Sequence, residues 1–282
     1  MATWAIGDVH GCYFTLMRLL AAIGFRAGAD TLWLLGDLVN RGANSDRVLQ
    51  WAWAAQDSVE AVLGNHDLTL LIAHRGLGGA HVSRQLARMA TLPDARAPLA
   101  WLAARPLLAE VDNRLFVHAG LAPGWSPAEA LALAAAAAKG LAGGTITALW
   151  AALAGAWPQE AEAPPPEGSL RHLAWAVRVM TYARRVRLDG QILWHDGGRP
   201  EAETSEVVPW FAVPNRRSRG QTVVFGHWSR LGLVRQDNVV GLDTGCAWGR
   251  QLTAWCPADG SLVQQDCDPR DRLVPPQASG GS

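Results

Sequence analysis

Trp4-Ala5-Ile6-Gly7-Asp8-Val9-His10-Gly11 decides the fold. Three apolar residues fit a short buried strand, Gly7 lets the chain turn sharply, and Asp8 and His10 then stand at the strand's carboxyl end. The same arrangement recurs along the chain. Thr31 to Leu35 ends in Gly36-Asp37, Val59 to Leu63 in Gly64-Asn65-His66, Arg114 to Val117 in His118-Ala119-Gly120, and Thr222 to Phe225 in Gly226-His227-Trp228. After the first strand, Leu16, Leu19, Leu20 and Ile23 recur at helical spacing up to Gly24, and Ser45 to Ala55 reads as a second helix. This alternation predicts a layered α/β fold, in which ligands bind beyond the carboxyl ends of strands.

Farther out, Val239 to Leu242 and Gln251 to Trp255 read as two more strands around Asp243-Thr244-Gly245-Cys246. The Ala-rich run Ala128 to Ala138 predicts a helix, and Pro164-Pro165-Pro166 a surface loop, within a helical insertion at about 124–219. One domain over 1–272 and a disordered tail over 273–282 follow from the composition.

A chain of 282 residues with 49% hydrophobic content can bury a sizeable core. Its formal net charge of zero excludes a basic field for long nucleic acids, so an anionic ligand must be gripped locally. The absence of a secretory signal and of any apolar run near the roughly 20 residues of a membrane span predicts a cytoplasmic protein with no membrane partner. Cys12, Cys246, Cys256 and Cys267 form no C-x-x-C pair and read as reduced, buried thiols. The oligomeric state is not legible.

The strand ends carry Asp8, His10, Asp37, Asn65, His66, His118 and His227. Two carboxylates, an amide oxygen and several imidazoles, with no thiolate among them, suit Mn, Fe, Co or Zn. One carboxylate between two ions can bridge them.

Gly7-Asp8-Val9-His10-Gly11, Gly36-Asp37-Leu38-Val39-Asn40-Arg41-Gly42 and Gly64-Asn65-His66-Asp67 resemble the signature blocks of metallophosphoesterases of the phosphoprotein-phosphatase type. The resemblance implies a four-layer α/β/β/α sandwich. It implies two divalent metals, with manganese first and Co, Fe or Zn as alternatives. Asp8 and His10 would hold one, Asn65, His118 and His227 the other, and Asp37 both. The catalytic set it implies is His66 as general acid with Asn40, Asp67 and the phosphate-clamping Arg41. Arg184, Arg185 and Arg187 stand where the family has a second phosphate-binding arginine, and the sequence leaves open which of them it is.

Where phosphoprotein phosphatases have Asp, this chain has Asn40. Asn accepts from an imidazole N–H but stabilises imidazolium less than a carboxylate does, which points to a leaving group that needs less help. Pro209-Trp210-Phe211, Phe225-Gly226-His227-Trp228 and Leu242 to Gly249 followed by Leu252-Thr253 are similar to the C-terminal blocks of symmetrical bis(5'-nucleosyl)-tetraphosphatases. That likeness implies cleavage of diadenosine tetraphosphate to two ADP by a hydroxide bridging the metals. Nucleoside-tetraphosphate-capped RNA ends are a further implied substrate. The competing readings are a phosphoprotein phosphatase and a nucleotide-binding protein without turnover. Trp228 is the aromatic assigned to the substrate; Trp210, Phe211 and Trp248 are open to base stacking or to core packing. Asp243 is a possible support for a histidine ligand, and His74, His81, His172 and His195 read as surface or packing residues.

Overall fold

The computed structural model describes residues 1–77, 82–142, 146–154, 163–194, 204–236 and 238–273. The tail expected from 273 onward lies outside them but for its first residue, as do His81 and His195. Strands β1 (Thr3–Ile6), β2 (Thr31–Leu34) and β3 (Val59–Ala61) are parallel neighbours. Strand β12 (Gln251–Trp255) runs antiparallel beside β1, and β13 (Leu262–Asp266) beyond it completes the sheet order β13-β12-β1-β2-β3.

A second sheet has the order β10-β11-β9-β5-β4. Its centre, β5 (Arg114–Val117), β9 (Thr222–Phe225) and β11 (Val239–Gly241), is parallel, with β4 (Leu108–Val111) and β10 (Val234–Gln236) antiparallel at the edges. Inner side chains Ala5, Leu35, Val62, Phe116, Val224, Val240, Leu242 and Trp255 form the core between the two sheets, and the Trp33 ring meets Phe116 edge-on at 5.4 Å. Strand periodicity explains the two faces: Trp33 points to the second sheet, while Leu32 and Leu34 belong to the larger core under the helices. Helix α1 (Tyr13–Ala22) packs on β12 and β13; α2 (Ser45–Ala54), α3 (Asn65–His74), α4 (Arg84–Met89) and α5 (Arg96–Ala103) follow it in the chain, and α6 (Pro127–Ala142) packs on β4. Helices thus cover both outer faces, giving the four-layer sandwich.

The seven strands and the first two helices read from the apolar pattern are present to within two residues at each end, apart from the unassigned lead-in of α1. Three of the four edge strands of the two large sheets, β4, β10 and β13, were not legible. Strand β4 is joined to β5 through Asp112 and Asn113, both with positive φ (48° and 59°), the two-residue hairpin turn that matches strand twist. Strand β13 is half-exposed, with too few apolar residues to signal itself.

The region expected as a helical insertion holds α6, α7 (Ile146–Ala154) and α8 (Leu170–Tyr182), packed on one another. It then forms a small sheet, β7-β6-β8, from β6 (Arg185–Arg187), β7 (Ile192–Leu193) and β8 (Val207–Pro209). The Met180 carbonyl accepts from the Ala119 N–H at 2.8 Å, which ties the end of α8 to the loop after β5. At the other end of the chain, buried Asp271 caps α1 by accepting from the Phe14 and Thr15 N–H groups at 3.1 and 2.8 Å. Among the described residues, no single helix is long and apolar enough to cross a membrane.

Candidate metal centre

Five loops leave the carboxyl ends of β1, β2, β3, β5 and β9 and bring Asp8, His10, Asp37, Asn65, His118 and His227 together. Close approach of these loops explains glycine beside the donors. A Cβ on Gly226 would collide with Asp8 Oδ1, and one on Gly64 with the Asp37 backbone and carboxylate. His10, Asp37, Asn40, Arg41 and His227 all have positive φ, between 47° and 72°. Such backbone is costly for residues other than glycine, and it gathers here because the loops must aim these side chains at one point.

Each Asp uses one oxygen for the fold and turns the other inward. Asp8 Oδ1 accepts from the His227 N–H at 2.9 Å, and Asp37 Oδ1 from the His66 N–H at 2.8 Å. Asp37 Oδ2 then lies 3.5 Å from His10 Nε2 and 3.4 Å from His118 Nε2, so one carboxylate oxygen serves both halves of the cluster. Asp8 Oδ2 is 3.7 Å from His10 Nε2. His118 Nε2 is also 3.1 Å from Asn65 Oδ1 and 3.2 Å from His227 Nδ1.

These donors fit metal ions. His10 Nδ1 meets the Val39 carbonyl at 3.0 Å and His118 Nδ1 the Leu35 carbonyl at 2.7 Å, so each ring carries a proton on Nδ1 and its Nε2 faces the carboxylates. Oxygens and ring nitrogens with lone pairs therefore converge on two adjoining points. The buried charge points the same way. Burial and the Asp243 and Asp37 carboxylates push the Asp8 carboxyl well above its usual range. Burial opposes charge on His118, yet Asp37 and Asp8 outweigh it and push the imidazole up to about 10. The cluster calls for positive charge, which a proton or a bound cation supplies.

His66 stands beside the cluster, its ring centroid 5.0 Å from that of His10. Asn40 Nδ2 lies 2.8 Å from His66 Nδ1, and the Ser83 hydroxyl donates to Asn40 Oδ1 at 3.0 Å. The amide therefore donates to the ring, the reverse of the role expected for it. Burial holds the His66 pKa down to about 4, with Asp37 opposing and His10 and Arg41 adding to the depression.

Several expected residues are placed elsewhere. The Asp67 carboxylate is wholly buried and accepts from the backbone N–H groups of Asp37, Leu38 and Gly64 at 2.8, 3.0 and 3.0 Å. It positions the Asp37 loop and does not face the reacting site. Of the three arginines, Arg184 reaches the site, its Nη2 donating to the His227 carbonyl at 3.1 Å. Arg185 is fully buried with its guanidinium 4.8 Å from the Trp228 ring, and Arg187 is exposed near Glu206. Trp228 is itself 3% exposed, so it packs and has no face for a substrate. Arg184 precedes β6 and Arg185 opens it, so these neighbours turn to different sides, while Arg187, two residues beyond Arg185, lies at the exposed end of the strand; a cluster of arginines in sequence conceals this. Trp210 and Phe211 are buried as well.

Trp248 is different: 61% exposed, it lies in a short turn between Gly245 and Gly249, both with positive φ, and the Arg41 guanidinium sits 5.4 Å from its ring centroid. Ser83 and Tyr182 escaped the sequence reading. The Tyr182 side chain is near Asn65 and Thr69, and its ring lies 6.0 Å from that of His227. Neither lies in a signature block, and no spacing marks them. His74 and His172 each bond a backbone carbonyl and serve packing. Asp243 is buried, near enough to His10 and Asp8 for their charges to interact, with Oδ1 accepting from the Gly245 N–H at 3.1 Å.

Two stacked sheets with hard-donor loops at their common edge define a metallophosphoesterase with a dinuclear divalent metal centre, and residues 1–139 match the calcineurin-like phosphoesterase family. A symmetrical bis(5'-nucleosyl)-tetraphosphatase of Methylobacillus flagellatus is 40% identical over 271 residues, 96% of this chain and 97% of its own length. One of the same description from Chromobacterium violaceum is 38% identical over 95% of this chain and 96% of its own. A crystal structure described as a candidate diadenosine tetraphosphatase superposes with a TM-score of 0.64 at 25% identity, covering 95% of this chain and 94% of that one. The chain belongs to the symmetrical bis(5'-nucleosyl)-tetraphosphatase family.

Proposed function

We propose that this protein hydrolyses dinucleoside polyphosphates, cutting diadenosine 5',5'''-P1,P4-tetraphosphate at its centre to two ADP. The observation that carries this reading is the pairing of Asn40 with a His66 held near 4. Such a histidine is neutral at neutral pH and offers a hydrogen bond from Nε2 in place of a full proton. A nucleoside diphosphate needs no more than that to depart, whereas a serine alkoxide does. The family's printed activity supports the same substrate class.

Asp8, His10, Asp37, Asn65, His118 and His227 would hold two divalent ions, with Asp37 shared between them; manganese suits the donors, and Co, Fe or Zn compete for them. Bound there, the ions supply Lewis acidity, lower the pKa of water and neutralise developing charge. The side chains do the rest. Arg41 and Arg184 hold non-bridging phosphoryl oxygens as planar forks. Trp248, beside Arg41, stacks the base of the departing nucleotide. An RNA end capped by a nucleoside tetraphosphate presents the same phosphate chain and base and falls within this reading. In the proposed domain layout, residues 1–272 form one unit, and the helices and small sheet of about 124–219 roof the site through Tyr182 and Arg184.

The deciding experiment is product analysis after metal-free protein, reloaded with manganese, meets diadenosine tetraphosphate. ADP as sole product is the expected result. ATP with AMP, or no cleavage alongside hydrolysis of a phosphopeptide, would overturn the reading.

A further inference from the structure

Three of the four cysteines converge on one point away from the proposed metal ligands. Cys12 precedes α1, Cys246 begins the short turn that carries Trp248, and Cys267 follows β13. All three are buried as free thiols, and their Sγ atoms lie within 4.8 Å of one another. Cys256 is buried too but stands outside the trio. We infer that Cys12, Cys246 and Cys267 form a binding site for one soft, thiophilic metal ion of the zinc or monovalent copper class, separate from the dinuclear centre.

Geometry favours it. A zinc–sulfur bond of about 2.3 Å places the sulfurs of a trigonal or tetrahedral site about 3.8 to 4.0 Å apart, so the trio needs to contract by no more than about 1 Å. The donors are softer than any at the strand ends: thiolates select zinc and monovalent copper, whereas carboxylates and amide oxygens favour harder ions. The neighbouring Cys12 and the Arg272 guanidinium, against the opposing effect of burial, push the Cys267 thiol down and favour its thiolate. Access is provided as well, because Cys267, Arg272, Thr244 and Arg250 line a solvent-open cavity of about 640 Å³. Binding forms three sulfur–metal bonds and releases the thiol protons to solvent, with no change of oxidation state. The ion would tie the first donor loop to two segments more than two hundred residues farther along the chain.

The test is a cadmium(II) titration of the manganese-loaded full chain under a non-thiol reductant, followed by the ultraviolet thiolate-to-cadmium charge-transfer band. Cadmium that replaces manganese at the dinuclear centre is silent in this band, since no sulfur lies there. We expect a band that saturates at one ion per chain, survives Cys256→Ser, weakens in Cys267→Ser and disappears in the Cys246→Ser, Cys267→Ser double variant. Absence of the band from wild-type protein with free thiols would overturn the site. So would a full-strength band in Cys267→Ser, a change at the cavity wall, once its circular dichroism matches wild type. None of these outcomes depends on the substrate.

Discussion

The Asn40 amide donates to His66 Nδ1 across 2.8 Å and is itself oriented by the Ser83 hydroxyl. This pairing keeps the ring proton on Nε2 and gives no support to an imidazolium. Asn40→Asp would place a negative charge against Nδ1, which favours the protonated ring and moves the His66 pKa up from about 4. The protonated form would then persist to higher pH, and hydrolysis of a monoester with an alkoxide leaving group should extend toward neutrality. Matched pH–rate profiles of both proteins read this; identical profiles would refute it.

Asp37→Asn should lose far more than the about 10- to 100-fold typical of an outer partner of a metal ligand, because Asp37 Oδ2 faces both His10 and His118. Elemental analysis should find fewer than two ions per chain alongside the lost activity. Full activity with both ions retained would remove Asp37 from the centre.

Trp248 is exposed beside Arg41, and stacking on a base contributes about 1 to 3 kcal/mol. Trp248→Ala should therefore raise the KM for diadenosine tetraphosphate by about 5- to 160-fold with a smaller change in kcat, and Trp248→Phe should restore most of it. An unchanged KM in the Ala variant would argue for a purely structural turn.

Asp271 accepts from two N–H groups at the start of α1 and from the Thr15 hydroxyl at 2.7 Å. Asp271→Ala should destabilise the fold by about 1 to 3 kcal/mol, as a lost helix cap with buried donors left unpaired. Urea unfolding measures it, and a midpoint equal to that of wild type would show the cap to be dispensable.

Glu129 accepts from the Ser126 N–H and hydroxyl at the start of α6 and from Arg217, which together lower its pKa from 4.5 to about 2. A depressed carboxyl contributes stability that is present above the unfolded pKa and is lost as pH falls through the folded value. Glu129→Gln should thus unfold at lower temperature than wild type near neutral pH, by a small margin for so exposed a site. The two should converge as pH falls from about 4.5 toward 2. A gap that does not narrow would assign the effect to something other than charge.

Sequence alone determined the strands that end in donors, because a buried strand, a glycine and a polar ligand type form a local pattern of short period. Asp8, His10, Asp37, Asn65, His118 and His227, the residues proposed to hold the metals, were all named from it, and the fold brings them together although more than two hundred residues separate the first from the last. Only the tertiary structure decided which neighbours of those donors face the site. Arg184 and Arg185 are adjacent in sequence yet one reaches His227 and the other is buried on Trp228; Trp228, assigned to the substrate, is buried, whereas Trp248, left open between stacking and packing, is exposed beside Arg41. Asp67 shares a block with His66 but turns its carboxylate to three backbone N–H groups. Residue type and spacing record what a side chain can do. Its direction depends on strand alternation and on which loop approaches from elsewhere in the chain, and those long-range contacts exist only once the two sheets have stacked.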